Sequence, residues 1–185
     1  MMFTKAFGLL ASFGAMASAL PTTFETRDTN STGGGGGGGV EIINNMGQDI
    51  YLWSVGNTAD SEMVTLSSGG KSYTESWKLN PDGGGISIKL STTPDQSDVL
   101  QYEYTLVSPT IFWDLSCINM GSSSKFSTVG FAVTSNDEGN CPKATCKPGD
   151  SACADAYLFP TDDHATHGCP EAVQMTLSLG PSDSE

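Results

Sequence analysis

Two carboxylates that could act together, Glu103 and Asp114, lie on neighbouring segments in which apolar and polar side chains alternate. The alternate residues of both segments are Leu, Ile, Tyr or Trp, so strand geometry puts both carboxylates on the opposite, more polar face. A paired acid and base or nucleophile is what glycoside hydrolysis requires. The pair therefore defines the first candidate site, and a polar, solvated sheet face is the alternative to it.

The short connection at Ser108-Pro109 predicts a hairpin between the two segments. With Pro109-Thr110 as the two-residue loop, Glu103 faces Ser116, and Asp114 lies diagonally from Glu103 on the same face. Like charges this close raise one carboxyl pKa unless a cation offsets them. Lys89 is the expected cation, because it alternates with apolar residues in the segment 86–90.

A second cluster comprises two aspartates and two histidines in one loop: Asp162, Asp163, His164 and His167. These residue types can bind zinc or copper, but their spacing matches no defined geometry. A surface loop rich in polar turn-forming residues is the alternative explanation. We predict no metal site and no cofactor, with this loop as the weak alternative.

The chain has five cysteines, Cys117, Cys141, Cys146, Cys153 and Cys169. In a secreted protein we expect them to be oxidised, with one left over from two disulfides. Two bridges drawn from five cysteines allow fifteen arrangements, so the residues alone leave the pairing open.

Composition narrows the classes of function. The 185 residues suffice for one domain, and 21 acidic against 8 basic residues give a formal charge of −13. Such a charge opposes binding to nucleic acid or to anionic membranes. No segment is long enough to span a bilayer, so we expect neither membrane insertion nor a nucleic-acid partner, and we expect a monomer.

The two ends of the chain are predicted to lie outside the folded domain. Residues 1–19 are predicted to form a signal peptide, with Lys5 before an apolar run and cleavage after Ala19. Residues 20–39 are predicted to be a flexible linker ending in seven glycines, with Asn30 in a glycosylation sequon. Residues 40–180 form the predicted domain, and 181–185 an acidic tail.

Short alternating segments separated by glycine- and proline-rich turns fill that domain, and no helical period is sustained. We predict an all-β sandwich of about ten short strands with little helix. The predicted strands are Val40–Ile43, Ile50–Val55, Met63–Leu66, Ser72–Trp77, Ile86–Leu90, Leu100–Val107, Ile111–Ile118, Val129–Thr134 and Val173–Leu179.

The segment from Cys153 to Cys169 resembles the C-terminal part of the thaumatin-like family. It has the family's cysteine, the Asp155-Ala156-Tyr157 motif, a proline, the Asp162-Asp163 loop and a closing cysteine. Over residues 40–180 the chain is more similar still to the Blastomyces yeast-phase-specific protein family, or antigenic thaumatin-like proteins. The resemblance implies an antiparallel thaumatin-like sandwich.

The resemblance also implies a ligand site. Thaumatin-like proteins have an acidic cleft of one arginine, one glutamate and three aspartates, which in some members binds or slowly cleaves β-1,3-glucan. The corresponding positions here are Lys89, Glu103, Asp114, Asn119 and Asp155. Lysine replaces the arginine and asparagine replaces one aspartate. The implied site is thus an altered cleft, with Asp155 expected to converge on the carboxylate pair.

For the cysteines, the resemblance implies a Cys153–Cys169 disulfide. The second bridge is then expected between Cys141 and either Cys146 or Cys117.

Three functions follow from these expectations. The first is a secreted, non-enzymatic protein of the cell surface, cell wall or medium, which binds β-glucan or another wall or host glycan and acts as an antigen. The second is a weak β-1,3-glucan hydrolase that uses Glu103 and Asp114. The third is an effector that binds a host protein.

Overall fold

A computed structural model of the chain describes residues 37–57 and 61–181. The predicted signal peptide (1–19), the linker up to residue 36, the Asn30 sequon and the tail beyond residue 181 lie outside the described residues.

Two β-sheets pack face to face, which confirms the predicted all-β sandwich. The first sheet has the strand order β4-β1-β11-β8-β9, and the second has the order β10-β7-β6-β5-β2-β3. The strands are β1 (Gly39–Asn44), β2 (Ile50–Val55), β3 (Val64–Leu66), β4 (Lys71–Ser76), β5 (Ile86–Ser91), β6 (Val99–Val107), β7 (Thr110–Ser116), β8 (Phe131–Ser135), β9 (Ala144–Cys146), β10 (His167–Pro170) and β11 (Gln174–Leu179). A short helix, α1 (Lys125–Val129), lies before β8.

All nine predicted strands are present, with ends that differ by at most two residues. The prediction missed β9 and β10, because three- and four-residue strands of mixed polarity show too little alternation to detect. It also missed one departure from antiparallel pairing. The strands β1 and β11 run parallel, with Ile42 opposite Leu177, and they form the middle of the first sheet.

The core lies between the sheets and consists of the apolar residues that the alternation predicts. On β5, β6 and β7 the inward residues include Ile88, Tyr102 and Trp113, which are all almost completely buried. The rings of Tyr102 and Trp113 stack with their centroids 6.0 Å apart. Burial of these inward side chains fixes the opposite face of β5, β6 and β7 as the surface that carries polar residues.

The hairpin between β6 and β7 has a different register from the predicted one. Val107 pairs with Thr110, so the loop is Ser108-Pro109, and Glu103 lies directly opposite Asp114. The predicted opposition of Glu103 and Ser116 is therefore wrong by two positions. Pro109 is a loop residue in both registers, whereas the β-branched Thr110 suits a strand and pairs at the start of β7 instead of remaining in the loop. A two-residue shift leaves every side chain on its predicted face.

The end of the glycine tract belongs to the folded domain rather than to a linker. β1 begins at Gly39, whose N–H donates to Val173 O at 3.1 Å, and Gly38 O accepts from Trp77 N at 3.2 Å. A Cβ on Gly38 would overlap Glu171 O and the indole nitrogen of Trp77. Close packing therefore requires glycine at this position.

The disulfides are Cys141–Cys169 and Cys146–Cys153, with Cα–Cα distances of 4.9 and 5.3 Å. The predicted Cys153–Cys169 bridge is wrong, and so are both predicted partners of Cys141. A turn closed by Asp150 N donating to Lys147 O at 3.0 Å folds the chain back after β9.

That turn brings Cys153 beside Cys146 at the edge of the first sheet, whereas Cys169 lies on β10 in the second sheet. The remaining cysteine, Cys117, has a free thiol, and burial raises its pKa to about 12.

Candidate functional site

The polar face of the second sheet carries the candidate site. Adjacent strands place Ser87, Glu103 and Asp114 side by side, one from each of β5, β6 and β7. Glu103, Asp114 and the neighbouring Thr166 line an open groove of about 550 Å³. We call this the carboxylate groove.

Asp114 is the most perturbed acid in the carboxylate groove. Burial and the nearby Glu103 carboxylate raise its pKa from an ordinary 3.8 to about 7. Its Oδ1 atom is buried and has no hydrogen-bond partner within residues 37–57 and 61–181. Near neutral pH the side chain therefore holds a proton for a large part of the time and can act as donor or acceptor.

The effect of burial on the carboxyl pKa is partly offset at Glu103, but not at Asp114. Burial raises the pKa of Glu103, while the Ser87 hydroxyl and the positive charge of Lys89 oppose that rise. Lys89 acts across a distance, because the only ion pair within the described ranges joins Lys78 to Glu75. The expected contact between Lys89 and a carboxylate is thus absent from the described part of the chain.

An aromatic side chain completes the carboxylate groove. Phe112 is 42 % exposed and lies two residues before Asp114 on the same face of β7. Its neighbour on β10 is Gly168, and a Cβ there would touch the Phe112 ring at 3.4 Å. Glycine at this position leaves the ring edge uncovered. An exposed ring beside two carboxyls can pack against the apolar face of a sugar while the acids bind its hydroxyls.

Three of the five predicted cleft residues, Lys89, Asn119 and Asp155, do not line the carboxylate groove. Asp155 Oδ2 accepts a hydrogen bond from Thr145 N at 2.8 Å, and the Asp155 carboxylate acts electrostatically on His167. Asn119 is exposed and accepts a hydrogen bond from Gln101 at 3.3 Å. Asp155 holds the loop after Cys153 against β9, so the expected convergence of Asp155 on the pair is wrong.

Asp162, Asp163, His164 and His167 do not form a set of metal ligands, and His167 lies on β10 rather than in the loop. Asp162 Oδ2 accepts from the backbone N–H groups of Leu158 and Phe159, and these hydrogen bonds lower its pKa. The His167 ring packs on Trp113 at 4.6 Å, and His164 packs on Tyr157 at 5.9 Å.

Across residues 37–57 and 61–181, no group of three or more His, Cys, Asp or Glu side chains is placed to hold a metal ion.

Sequence reasoning missed a buried ionised group, Glu75. It is only 4 % exposed and accepts hydrogen bonds of 2.6 Å from Tyr73, Tyr104 and Lys78. Burial alone would raise its pKa, but these hydrogen bonds lower it overall. The signal was present in the alternation of β4, because Glu75 lies between two inward aromatics, Tyr73 and Trp77.

None of the helices in the described part of the chain is long and apolar enough to cross a membrane.

Comparison with known proteins places this chain in a family. The family model of the Blastomyces yeast-phase-specific protein matches residues 36–181. A secreted thaumatin-like protein, calA, from Emericella nidulans is 48 % identical over 183 residues, which cover 99 % of this chain and all of that protein. An antigenic thaumatin-like protein from Arthroderma benhamiae is 41 % identical over 136 residues, which cover 74 % of this chain and 67 % of that protein.

Among solved structures, the protein elicitor MoHrip2 from Magnaporthe oryzae has a similar fold. The TM-score is 0.62 at 20 % identity, and the match covers 78 % of this chain and 99 % of that one. This similarity confirms the sandwich, while the sequence matches identify the family. The chain belongs to the Blastomyces yeast-phase-specific protein family of fungal thaumatin-like proteins.

Proposed function

We propose that this chain is a secreted, non-enzymatic protein that binds a glycan of the cell wall or of a host through the carboxylate groove. The observation that carries the proposal is the exposed Phe112 ring beside Glu103 and Asp114. Carboxyl groups accept hydrogen bonds from sugar hydroxyls, and an aromatic ring covers the sugar's C–H face. Secretion is supported by the signal-peptide pattern of residues 1–19 and by the printed name of the calA relative.

A glycan array probed with the secreted protein tests the proposal, followed by calorimetry with the bound sugars. Phe112→Ala should weaken binding about tenfold or more, since a buried aromatic contact contributes on the order of 1–2 kcal/mol. Phe159→Ala is the matched control, because Phe159 is 63 % exposed and does not line the carboxylate groove. Equal binding by wild type and Phe112→Ala would refute this site.

Weak β-glucan hydrolysis is the second candidate function, and one observation favours it. Glu103 and Asp114 lie directly opposite each other on adjacent antiparallel strands, with Cβ atoms about 5 Å apart, so both side chains can reach one glycosidic bond. Asp114 with its pKa of about 7 would be the acid and Glu103 the nucleophile. Release of reducing sugar from β-1,3-glucan by the wild type, abolished in Glu103→Gln, would establish hydrolysis. Binding without release would leave the non-enzymatic function.

A further inference from the structure

The carboxylate groove brings two acids together without a positive charge. Glu103 and Asp114 lie directly opposite each other on β6 and β7, so their Cβ atoms are about 5 Å apart. Among the described residues that line the groove, none is a lysine, an arginine or a histidine. Lys89 lies outside the groove and forms no ion pair with either acid within the described ranges. The repulsion between the two carboxylates is therefore not offset by a cation in contact with them.

Asp114 also lacks a hydrogen-bond donor. Its Oδ1 atom is buried and has no partner in the described part of the chain, and a buried acceptor without a donor is costly. Burial and the Glu103 carboxylate raise the Asp114 pKa to about 7, and no neighbouring group opposes that rise. A neutral hydroxyl could donate to Oδ1, but it would leave the repulsion between the acids unchanged. An ammonium group would donate to Oδ1 and also offset both negative charges.

The exposed ring of Phe112 favours the same kind of ligand. Phe112 and Asp114 are two positions apart on one face of β7, so their backbones are about 7 Å apart and one ligand can contact both. The face of an aromatic ring attracts cations as well as the C–H face of a sugar. The chain as a whole has 21 acidic against 8 basic residues, and this negative field also attracts cations.

We propose that the carboxylate groove binds an amine-bearing glycan, with the ammonium group of one sugar between Glu103 and Asp114 and its ring against Phe112. This inference rests on the proposed function, since it gives the chemical class of the glycan bound there. It differs from glycan binding in general because it requires a positive charge on the sugar. A polymer of glucosamine has this chemistry, whereas a polymer of glucose or of N-acetylglucosamine does not.

Calorimetry with three β-1,4-linked tetrasaccharides tests the requirement for charge, because they share one backbone and differ only at C2. Glucosamine has an ammonium group there, glucose a hydroxyl and N-acetylglucosamine an acetamide. At about pH 6, where primary amines are protonated, the glucosamine tetramer should bind the secreted protein about tenfold or more tightly than the glucose tetramer. Added salt should weaken binding of the glucosamine tetramer and leave binding of the other two unchanged.

Variants of the two acids locate the effect. Glu103→Gln and Asp114→Asn should each reduce the preference for glucosamine over glucose, because each removes one negative charge and keeps a hydrogen-bonding side chain. Glu138→Gln is the matched control, since it removes the same charge from an exposed residue between β8 and β9 that does not line the groove. This variant should keep the preference of the wild type.

The outcomes separate this inference from the proposed function. If the glucose or N-acetylglucosamine tetramer binds as tightly as the glucosamine tetramer, and Phe112→Ala weakens that binding, the requirement for charge is overturned and the proposed function stands. If neither these sugars nor any glycan on the array binds, both are overturned. If the preference for glucosamine persists in Glu103→Gln and Asp114→Asn, it comes from the net charge of the protein, and the assignment to the groove is refuted.

Discussion

Asp114→Asn should stabilise this protein at neutral and mildly alkaline pH, although it alters the candidate site. The folded protein raises the Asp114 pKa from 3.8 to about 7. Ionising the carboxyl thus costs more in the folded state than in the unfolded state. Above pH 7 the wild type bears that cost in full, whereas asparagine has no charge to bury.

The magnitude follows from the shift. Three pKa units correspond to about 4 kcal/mol, and halving this for the partial exposure of Asp114 gives about 2 kcal/mol. The advantage of the variant should be about 2 kcal/mol at pH 8. It should then shrink as the pH falls from 7 to 4, because the folded wild type takes up its proton in that range and the unfolded chain does not. Below pH 3.8 both states of the wild type are protonated and the difference becomes constant.

Urea unfolding followed by tryptophan fluorescence at pH 4 to 8 measures this difference curve directly. At pH 8 the melting temperature should rise by about 6 °C, given roughly 2–4 °C per kcal/mol for a domain of this size. Asp82→Asn is the control, since it makes the same charge change in an exposed turn. A difference curve that is flat from pH 4 to 8, or a variant less stable than wild type at pH 8, would refute the reasoning.

Three further predictions concern groups outside that measurement. Lys89→Met should raise the pKa of Glu103, since the lysine charge opposes the effect of burial, and carboxyl titration by NMR would reveal an unchanged value as a contradiction. Glu75→Gln should cost about 2–3 kcal/mol in urea unfolding at pH 7, and the penalty should fall as the pH drops through the lowered folded pKa, because the wild-type stabilisation is complete only above 4.5. Gly38→Ala should cost about 1–3 kcal/mol because its methyl group overlaps backbone and indole atoms, and a Gly37→Ala control, with open space around it, should cost much less.

The sequence predicted which face of a strand each side chain occupies better than it predicted which residues of neighbouring strands pair with each other. Period-two alternation placed Glu103 and Asp114 on the polar face of their strands, because burial of Tyr102 and Trp113 leaves only one workable orientation. The predicted register of the β6–β7 hairpin differs from the observed one by two residues, because both registers satisfy the same alternation. Pro109 is a loop residue in both registers, so its missing N–H does not separate them; they differ in whether Ser108 or the β-branched Thr110 shares the loop with it.

Long-range contacts were the least predictable part of the site. The Cys141–Cys169 disulfide joins the loop between β8 and β9 to strand β10 of the second sheet, and no local sequence pattern encodes such a long-range contact. Asp155 was expected in the cleft because of a family motif, yet its carboxylate accepts a hydrogen bond from the backbone of β9. Asp155 thus matches the family motif in residue type, but its surroundings differ from those that the motif implies. The burial of Glu75 was recoverable from its place between two inward aromatics, but a charged residue in a core is improbable until its partners are known.

The parallel pairing of β1 with β11 has a consequence for the order of folding. The first strand, β1, cannot join β8 and β9 in the sheet until the last strand, β11, has formed, because β11 lies between β1 and β8. A chain still being synthesised has β1 and β4 on one side and β8 and β9 on the other, with nothing to join them until residues 174–179 emerge. Closing a contact across more than 130 positions is slow, so the domain should mature only after its synthesis is complete.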